Sequence, residues 1–470
     1  MAANLLSRIQ ANNIEIAGIT CDSRMVKKNY LFFAIEGSKD DGNKFIENVI
    51  QKKPSAIITS KKIKFKINIP IIFVKNVRKE YSLIIYKLYQ DDIKTKIAVT
   101  GTNGKTSVVY YIQYLLNALG DKCGIIGTLG NNSKQIKTNL TTPDPLQINQ
   151  ILLKLTNERY KTVAMEASSH ALDQGRLFGL KFDILALTNI SHDHLDYHKN
   201  INSYINAKLK LFKENTKKNT INFISRDFKY YSEISKKLKT KKIKFLTFST
   251  KKSDFQICEK YRSLNKINMQ LIYNSKKYLF KFTNMTKFQI NNFLFAVSIV
   301  SKLGYKFKDM QLLSLNAPSV PGRMELAGVK MNNAKIFIDF AHTPDALTNV
   351  LNEAKAMCKG KLYVVFGCGG DRDKKKRPLM GKIASKYADK IIITDDNPRN
   401  EDPNIIRNEI IGMLKNVHEI ANRRYAIKYA VNELESNDIL VIAGKGHEKY
   451  QIIKNKFLPF DDVKISRKYL

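Results

Sequence analysis

The sequence predicts an α/β protein of three domains. These are a small N-terminal α/β domain over residues 1–94, a central P-loop ATPase-like domain built on a parallel sheet over 95–320, and a C-terminal Rossmann-like α/β domain over 321–470. Three observations carry that expectation. At 470 residues the chain exceeds what one hydrophobic core serves, since single cores stop growing near about 250 residues. Apolar, strand-like runs alternate with helical periodicity, as a parallel sheet requires. Pro318, Pro321 and Gly322 then interrupt the chain where a linker between the last two units belongs.

In the N-terminal unit, Tyr30–Ile35 and Ala56–Thr59 have the β-branched, aromatic character of strands, and residues 43–52 have helical spacing. Read from its residues alone, Asp22-Ser-Arg24 is a polar turn. In the central unit, Lys94–Thr100 reads as a buried strand and the chain from Lys105 as a helix, with Val108, Val109, Ile112, Leu115, Leu116 and Leu119 on one face and Gly120 at its end. Between them lies Gly101-Thr-Asn-Gly-Lys-Thr-Ser107. Unpaired N–H groups at a helix N-terminus favour polyphosphate, Lys105 can reach the terminal phosphates, and the Thr106 hydroxyl can hold Mg²⁺, so ATP is the expected ligand. The general phosphate-loop pattern asks for glycine five residues before Gly104, where this chain has Val99.

Two further strands deliver chemistry at their ends. Lys161–Met165 leads to Glu166 and Ser168-Ser-His170, and Phe182–Leu187 leads to Asn189 and the run His192-Asp-His-Leu-Asp-Tyr-His198. Ligands bind beyond the C-terminal ends of strands in such sheets, which puts Glu166 and His194 on the rim that carries Lys105. The histidine-rich run suits zinc or a solvated turn equally well, but beside a phosphate loop the metal in demand is oxygen-seeking Mg²⁺. A helix begins at Phe288.

In the C-terminal unit, Ile336–Asp339 runs into Phe340-Ala-His-Thr-Pro-Asp345, Leu362–Phe366 into Gly367-Cys-Gly-Gly-Asp-Arg372, Lys390–Thr394 into Asp396-Asn-Pro-Arg399, and Ile439–Ala443 into Gly444-Lys-Gly-His-Glu448. The glycines after Phe366 are no dinucleotide fingerprint, because the third would fall at Arg372. Arginine forks bind carboxylates and Glu448 can take an ammonium, which together suit an amino acid with an extra charged end.

Lys+Arg 80 against Asp+Glu 42 gives a net charge of +38, but the lysines are spread through the chain without a nucleic-acid motif, so no nucleic-acid partner is expected. Cys21, Cys123, Cys258, Cys358 and Cys368 are scattered and odd in number, which points to reduced thiols in the cytoplasm. No run is long and apolar enough to insert in a membrane.

Taken together, Thr-Gly-Thr-Asn-Gly-Lys-Thr, Ser-Ser-His, Asp-His-Leu-Asp-Tyr-His, Ala-His-Thr-Pro-Asp and Asp-Asn-Pro-Arg resemble, in order, the motifs of the Mur ligases, relatives of the folylpolyglutamate synthetases that form amide bonds with ATP. The resemblance implies roles. Gly101, Thr102, Asn103, Gly104, Lys105, Thr106, Ser107, Asn292, Arg323 and Asp339 would bind ATP, while Lys105, Lys208, His194 and Arg323 would serve catalysis. Thr106, Glu166, His194 and Lys208 would hold Mg²⁺, Lys208 as a carbamate; without the resemblance it is one lysine among many. Cys21, Ser23, Ser38, Lys39 and Asp40 would line the uridine diphosphate end of a UDP-N-acetylmuramoyl dipeptide, and Leu140, Thr141, Thr142, Ser168, Gln174 and Arg176 its muramoyl-peptide end. Arg372, Asp396, Asn397, Pro398, Arg399, Gly444 and Glu448 would take meso-2,6-diaminopimelate. The implied protein is a monomeric ligase acting on small molecules. The chain departs from the family at Gln289, where Asn is usual, and at Phe340, where Tyr is. Three alternatives stay open: a lysine-adding ligase, a folylpolyglutamate-type ligase, and a nucleotide-switched protein that binds RNA.

Overall fold

The computed structural model describes residues 9, 15–37, 40–63, 68–132, 136, 140–263 and 266–470. Among them the strands gather into three main sheets. The N-terminal sheet has four parallel strands in chain order, Gly18–Thr20, Tyr30–Phe33, Ala56–Thr59 and Ile71–Phe73. The helix expected over residues 43–52 is shorter and preceded by a tighter turn: Gly42–Phe45 is 3-10 and Ile46–Ile50 is α. The Asp41 carboxylate accepts from both the backbone N–H and the side-chain amide of Asn43, at 3.0 and 2.6 Å, and so tightens the first turn.

The central sheet has ten strands. Thr95–Thr100 lies in its middle, paired in parallel with Thr162–Glu166 on one side and Phe182–Leu187 on the other. Their residues alternate between two cores, as the pleat dictates. Ile97, Val99, Ala164 and Ile184 face the helices Lys105–Ala118 and Lys287–Ser301, while Ala98, Val163, Met165 and Leu185 face Pro145–Asn157 and Ile201–Glu214. The three chemistry-bearing strand ends are therefore neighbours. The sheet continues through Thr216–Ser225 and Leu246–Ser249 into an antiparallel meander, Phe255–Arg262, Lys266–Tyr273 and Lys276–Thr283.

The third sheet has six strands, parallel except for Glu325–Val329 at one edge, and Ile439–Ala443 runs between Lys335–Asp339 and Leu362–Phe366. Beneath it the Arg423 side chain, wholly buried, forks onto the buried Asp462 carboxylate at 2.9 and 2.7 Å. Removing one partner of a buried pair strands the other charge out of water, at a cost of about 3–5 kcal/mol. Asp462→Ala is accordingly expected to lower the unfolding free energy of this sheet by that margin, read from the shifted midpoint and slope of its urea transition, and an unchanged midpoint would refute it.

Candidate functional site

The turn after Thr100 is shaped by two glycines. Gly101 (φ +146°) leaves no room for a Cβ, which would stand 1.9 Å from Thr188 Oγ1, and Gly104 (φ +85°) opens the helix Lys105–Ala118 with Asn292 Oδ1 where its Cβ would point. The loop is clamped by the next strand end, since the Asn189 amide accepts from the Asn103 N–H at 3.0 Å and donates to the Asn103 carbonyl at 3.1 Å. Thr102, buried, shares a hydrogen bond with Tyr204 Oη at 3.0 Å. Ser107 is buried in the first helical turn.

The cations of the site point inward. Lys105 Nζ donates to the carbonyls of Gly101 and Thr102 at 2.9 and 2.8 Å, and Lys208 Nζ donates to the same Gly101 carbonyl at 2.7 Å from the helix Ile201–Glu214. Burial, reinforced by the Lys105 charge, drives the Lys208 amine well below the usual lysine range. Burial also depresses Lys105, against the pull of Glu166 and Asp193. Arg323 reaches in from the linker, its Nη2 donating to Thr106 Oγ1 at 3.4 Å and its guanidinium 4.8 Å from the Phe340 ring centroid.

Thr106 Oγ1 donates to Glu166 Oε2 at 2.9 Å, and the Thr128 N–H holds Oε1 at 2.7 Å. A hydroxyl and a carboxylate brought together beside a phosphate loop form the sparse oxygen set that Mg²⁺ takes, with water and phosphate filling the rest. His194 stands on the same rim with φ +53°; burial lowers its pKa, Asp193 opposes that, and Lys105 and Lys208 add to it. Its ring centroid is 4.7 Å from His170. Among the described residues no three His, Cys, Asp or Glu side chains converge as a metal set of their own, so the histidine run forms no zinc cluster there.

A third group continues from Glu166. The Thr142 hydroxyl donates to the Glu166 carbonyl at 2.7 Å and accepts from the Ser168 N–H at 2.9 Å, while Arg176 Nη1 donates to the Thr142 carbonyl at 2.7 Å and its Nη2 to Gln174 Oε1 at 2.6 Å. Thr141 Oγ1 accepts from Thr128 Oγ1 at 3.4 Å, and Leu140 is exposed beside it. The N-terminal unit docks here through the helix Val77–Leu88: Tyr86 Oη donates to the Arg176 carbonyl at 3.0 Å and Tyr81 Oη to Asp144 Oδ1 at 3.1 Å. Cys21 lies against Tyr81, its thiol pushed up to about 12 by burial and by Asp144. Ser23 opens a short 3-10 turn whose carbonyl accepts from Lys52 Nζ at 2.8 Å, and Asp40 is exposed with its carbonyl accepting from the Gly37 N–H. Ser38 and Lys39 lie outside the described residues.

On the third sheet, buried Asp339 accepts from the N–H groups of Met324 and Ala341, both at 2.7 Å; burial raises its pKa to about 6, with Arg323 pulling the other way. The remaining candidates form a separate cluster. Arg399 (φ +51°) donates from Nη1 to the Gly370 carbonyl at 2.8 Å, and both Arg399 and the exposed Arg372 flank Gly369. Asn397 Nδ2 donates to Glu448 Oε2 at 3.0 Å, and Lys445 Nζ donates to Asn397 Oδ1 at 2.9 Å and to Glu448 Oε2 at 3.1 Å. Pro398 is buried, its carbonyl packed where a Cβ on Gly370 would stand, and Gly444 sits against the Asp396 carboxylate. Buried Asp396 Oδ2 faces Arg423 Nη1 at 4.0 Å.

Several working residues escaped the sequence. Lys445 sat unremarked inside the Gly444–Glu448 motif, and a fully buried lysine at a strand end is a signal once burial is known. Tyr204 and Gln451, whose Nε2 donates to the Asp396 carbonyl at 2.8 Å, lie on helix or hairpin segments with nothing local to mark them, and Gln289 stood out only as a departure from a motif.

Comparison with known proteins matches three family models in sequence: the Mur ligase family catalytic domain over residues 15–91, the Mur ligase middle domain over 99–300, and the Mur ligase glutamate ligase domain over 322–446. The chain is 43% identical, over its whole length and 98% of the relative, to the UDP-N-acetylmuramoyl-L-alanyl-D-glutamate--2,6-diaminopimelate ligase of Rickettsia conorii. It is 36% identical to the ligase of the same name from Caldanaerobacter subterraneus, covering 97% of this chain and 95% of that one. A solved structure of a ligase so named superposes with a TM-score of 0.69 at 32% identity, covering 97% of this chain and 94% of the other.

Proposed function

This chain belongs to the Mur ligase family, and we propose that within it the chain is the ATP-dependent ligase that joins meso-2,6-diaminopimelate to UDP-N-acetylmuramoyl-L-alanyl-D-glutamate in peptidoglycan precursor synthesis. The observation that carries the reading is the Asp396–Arg399 loop, whose Asn397 is held by Lys445 and whose Arg399 is held by the Gly370 carbonyl, in a chain so similar to diaminopimelate ligases from end to end. An arginine fork offered to a distal carboxylate selects diaminopimelate over lysine, whose far end carries none.

The chemistry follows from the rim. The γ-carboxylate of the dipeptide, held by Thr142, Ser168, Gln174 and Arg176, attacks the γ-phosphorus of ATP, and ADP leaves. Lys105 and Arg323 face the charge that builds on the phosphoryl oxygens, and the preorganised N–H groups of the loop hold it in line. An acyl phosphate results. The amine of diaminopimelate then adds to the acyl carbon, gives up its proton, and expels phosphate. Thr106, Glu166 and His194 are the residues that would hold Mg²⁺, which when bound would supply charge neutralisation to the phosphates. Burial and the Lys105 charge favour the unprotonated form of Lys208, whose free electron pair adds to CO₂ with loss of one proton, and the carbamate so formed offers anionic oxygen where a lysine offers none. ATP and the nucleotide-linked dipeptide are both anions that a net charge of +38 attracts, and the chain acts on them in the cytoplasm as a monomer. Among the described residues no helix is long and apolar enough to cross a membrane.

Phosphate release from ATP with UDP-N-acetylmuramoyl-L-alanyl-D-glutamate tests the reading. Release is expected with meso-diaminopimelate and to fall to about 1% or less of that rate with lysine, the discrimination typical of a site built around a polar group that the competitor lacks. Equal rates with lysine would refute the choice of amino acid. Release without any amino acid would favour a nucleotide switch, and release requiring glutamate with a folate would favour a folylpolyglutamate-type ligase.

A further inference from the structure

Gln289, buried, occupies the third position of the helix Lys287–Ser301. Its Oε1 accepts from the Thr286 N–H at 2.9 Å and from the Thr286 hydroxyl at 3.1 Å, while its Nε2 donates to the carbonyl of Arg323 at 2.8 Å and to that of Met324 at 3.2 Å. An amide has two lone pairs and two N–H groups, so every one is satisfied. The Oε1 half is an ordinary capping box. Nothing in the capping box requires the Nε2 half, which reaches across 34 residues of chain onto the carbonyl of Arg323 itself and that of the next residue. One turn further along the same helix, Asn292 stands against Gly104 of the phosphate loop. Phe288, next to Gln289, packs on the core of the third sheet.

We propose that Gln289 is a positioning residue: it fixes the Arg323–Met324 peptides to the helix that borders the phosphate loop, and so aims the Arg323 guanidinium at Thr106 and the phosphate beyond it. Asparagine, shorter by one methylene, cannot span from the cap to both carbonyls. The inference rests on the ATP-consuming ligase reading, and on Arg323 meeting phosphate within it.

A double-mutant cycle in the full-length protein tests it, with kcat and the KM for ATP read from diaminopimelate-dependent phosphate release and the fold read from thermal melting. Gln289→Asn is expected to lower kcat about 10- to 100-fold, the cost of a small misplacement of a charged group at the reacting centre, with KM for ATP changed less than about threefold. In an Arg323→Ala background the same change is expected to lower kcat no further. Losses that multiply in the double variant, full kcat in Gln289→Asn, or full kcat in Arg323→Ala would each overturn the proposal. Should Gln289→Asn melt below the assay temperature, Gln289→Glu, which keeps the cap acceptor and the side-chain length, takes its place in the cycle with the same expectations. A wild-type protein that consumes no ATP sinks the underlying reading, whereas an active wild type with multiplicative losses sinks only the role of Gln289.

Discussion

Lys208→Ala is expected to lose about a thousandfold or more in kcat, the scale on which removing a preorganised charged group from an active site is felt, and to regain part of it when acetate or formate is added. The argument starts from burial. Lys208 is 1% exposed, its Nζ stands 4.6 Å from the Tyr204 ring centroid, and among the described residues that Nζ has one protein acceptor, the Gly101 carbonyl, with Lys105 donating to that same oxygen. Burial and the neighbouring Lys105 charge both work against the charged form of Lys208. A carbamate would place an anion beside Lys105 where Lys208 now adds a second amine. Truncation to alanine opens space the size of the lost side chain, into which a small carboxylic acid can place its oxygens. Lys208→Met is the control: it fills that space with an apolar chain of similar length, so it is expected to be as inactive and to resist rescue. Full activity in either variant, or equal rescue of both, would rule out an anionic ligand at this position.

How far the sequence could be read follows from the range of the interactions involved. The phosphate loop is local, because strand, glycines, Lys105 and helix lie within 24 consecutive residues, Thr95 to Ala118, and each constrains the next. The strands ending at Glu166 and Leu187 were legible for the same reason. Their adjacency to Thr95–Thr100 is set by sheet order, which repetition of strand and helix implies without stating which strand lies in the middle. The shortened helix at Ile46–Ile50 turns on whether one carboxylate, Asp41, folds back on Asn43, which periodicity does not encode. Gln289 looked like a departure from a pattern, yet its partners sit on the linker and its role is visible only once Arg323 and Met324 are in place. Lys445 is similar: a lysine in a glycine-rich turn reads as solvated until the structure shows it wholly buried between Asn397 and Glu448. Glu448, expected to await an ammonium from substrate, already holds the one on Lys445, so a substrate ammonium shares this carboxylate rather than owning it.

Arg399 is the second large expectation, and its backbone decides how to test it. The residue sits in the left-handed region at φ +51°, with its N–H donating to the Ile452 carbonyl at 3.1 Å and its carbonyl accepting from the Lys454 N–H at 2.7 Å. These bonds pin the loop to the hairpin Tyr450–Ile453 and Lys456–Pro459, while Asn397 Oδ1 accepts from the Ile452 N–H at 2.9 Å on the same edge. Alanine in that conformation would add backbone strain to the loss of the guanidinium, so Arg399→Asn, a residue that tolerates left-handed φ, isolates the side chain. Among the described residues one guanidinium nitrogen is committed, to the Gly370 and Asn397 carbonyls, which leaves the rest of the fork for a carboxylate. Two charge-assisted hydrogen bonds of about 1.5–3 kcal/mol each, discounted for solvent at a half-buried site, correspond to roughly 100- to 1,000-fold. Arg399→Asn is therefore expected to cut kcat/KM for meso-diaminopimelate by that factor and to leave the slow rate with lysine within about threefold, so that selectivity collapses while the melting temperature holds. Arg399→Lys is expected to recover little, because an ammonium cannot grip both carboxylate oxygens in one plane. If both amino acids lost rate in parallel, Arg399 would be shaping the loop through its backbone and not reading the far carboxylate.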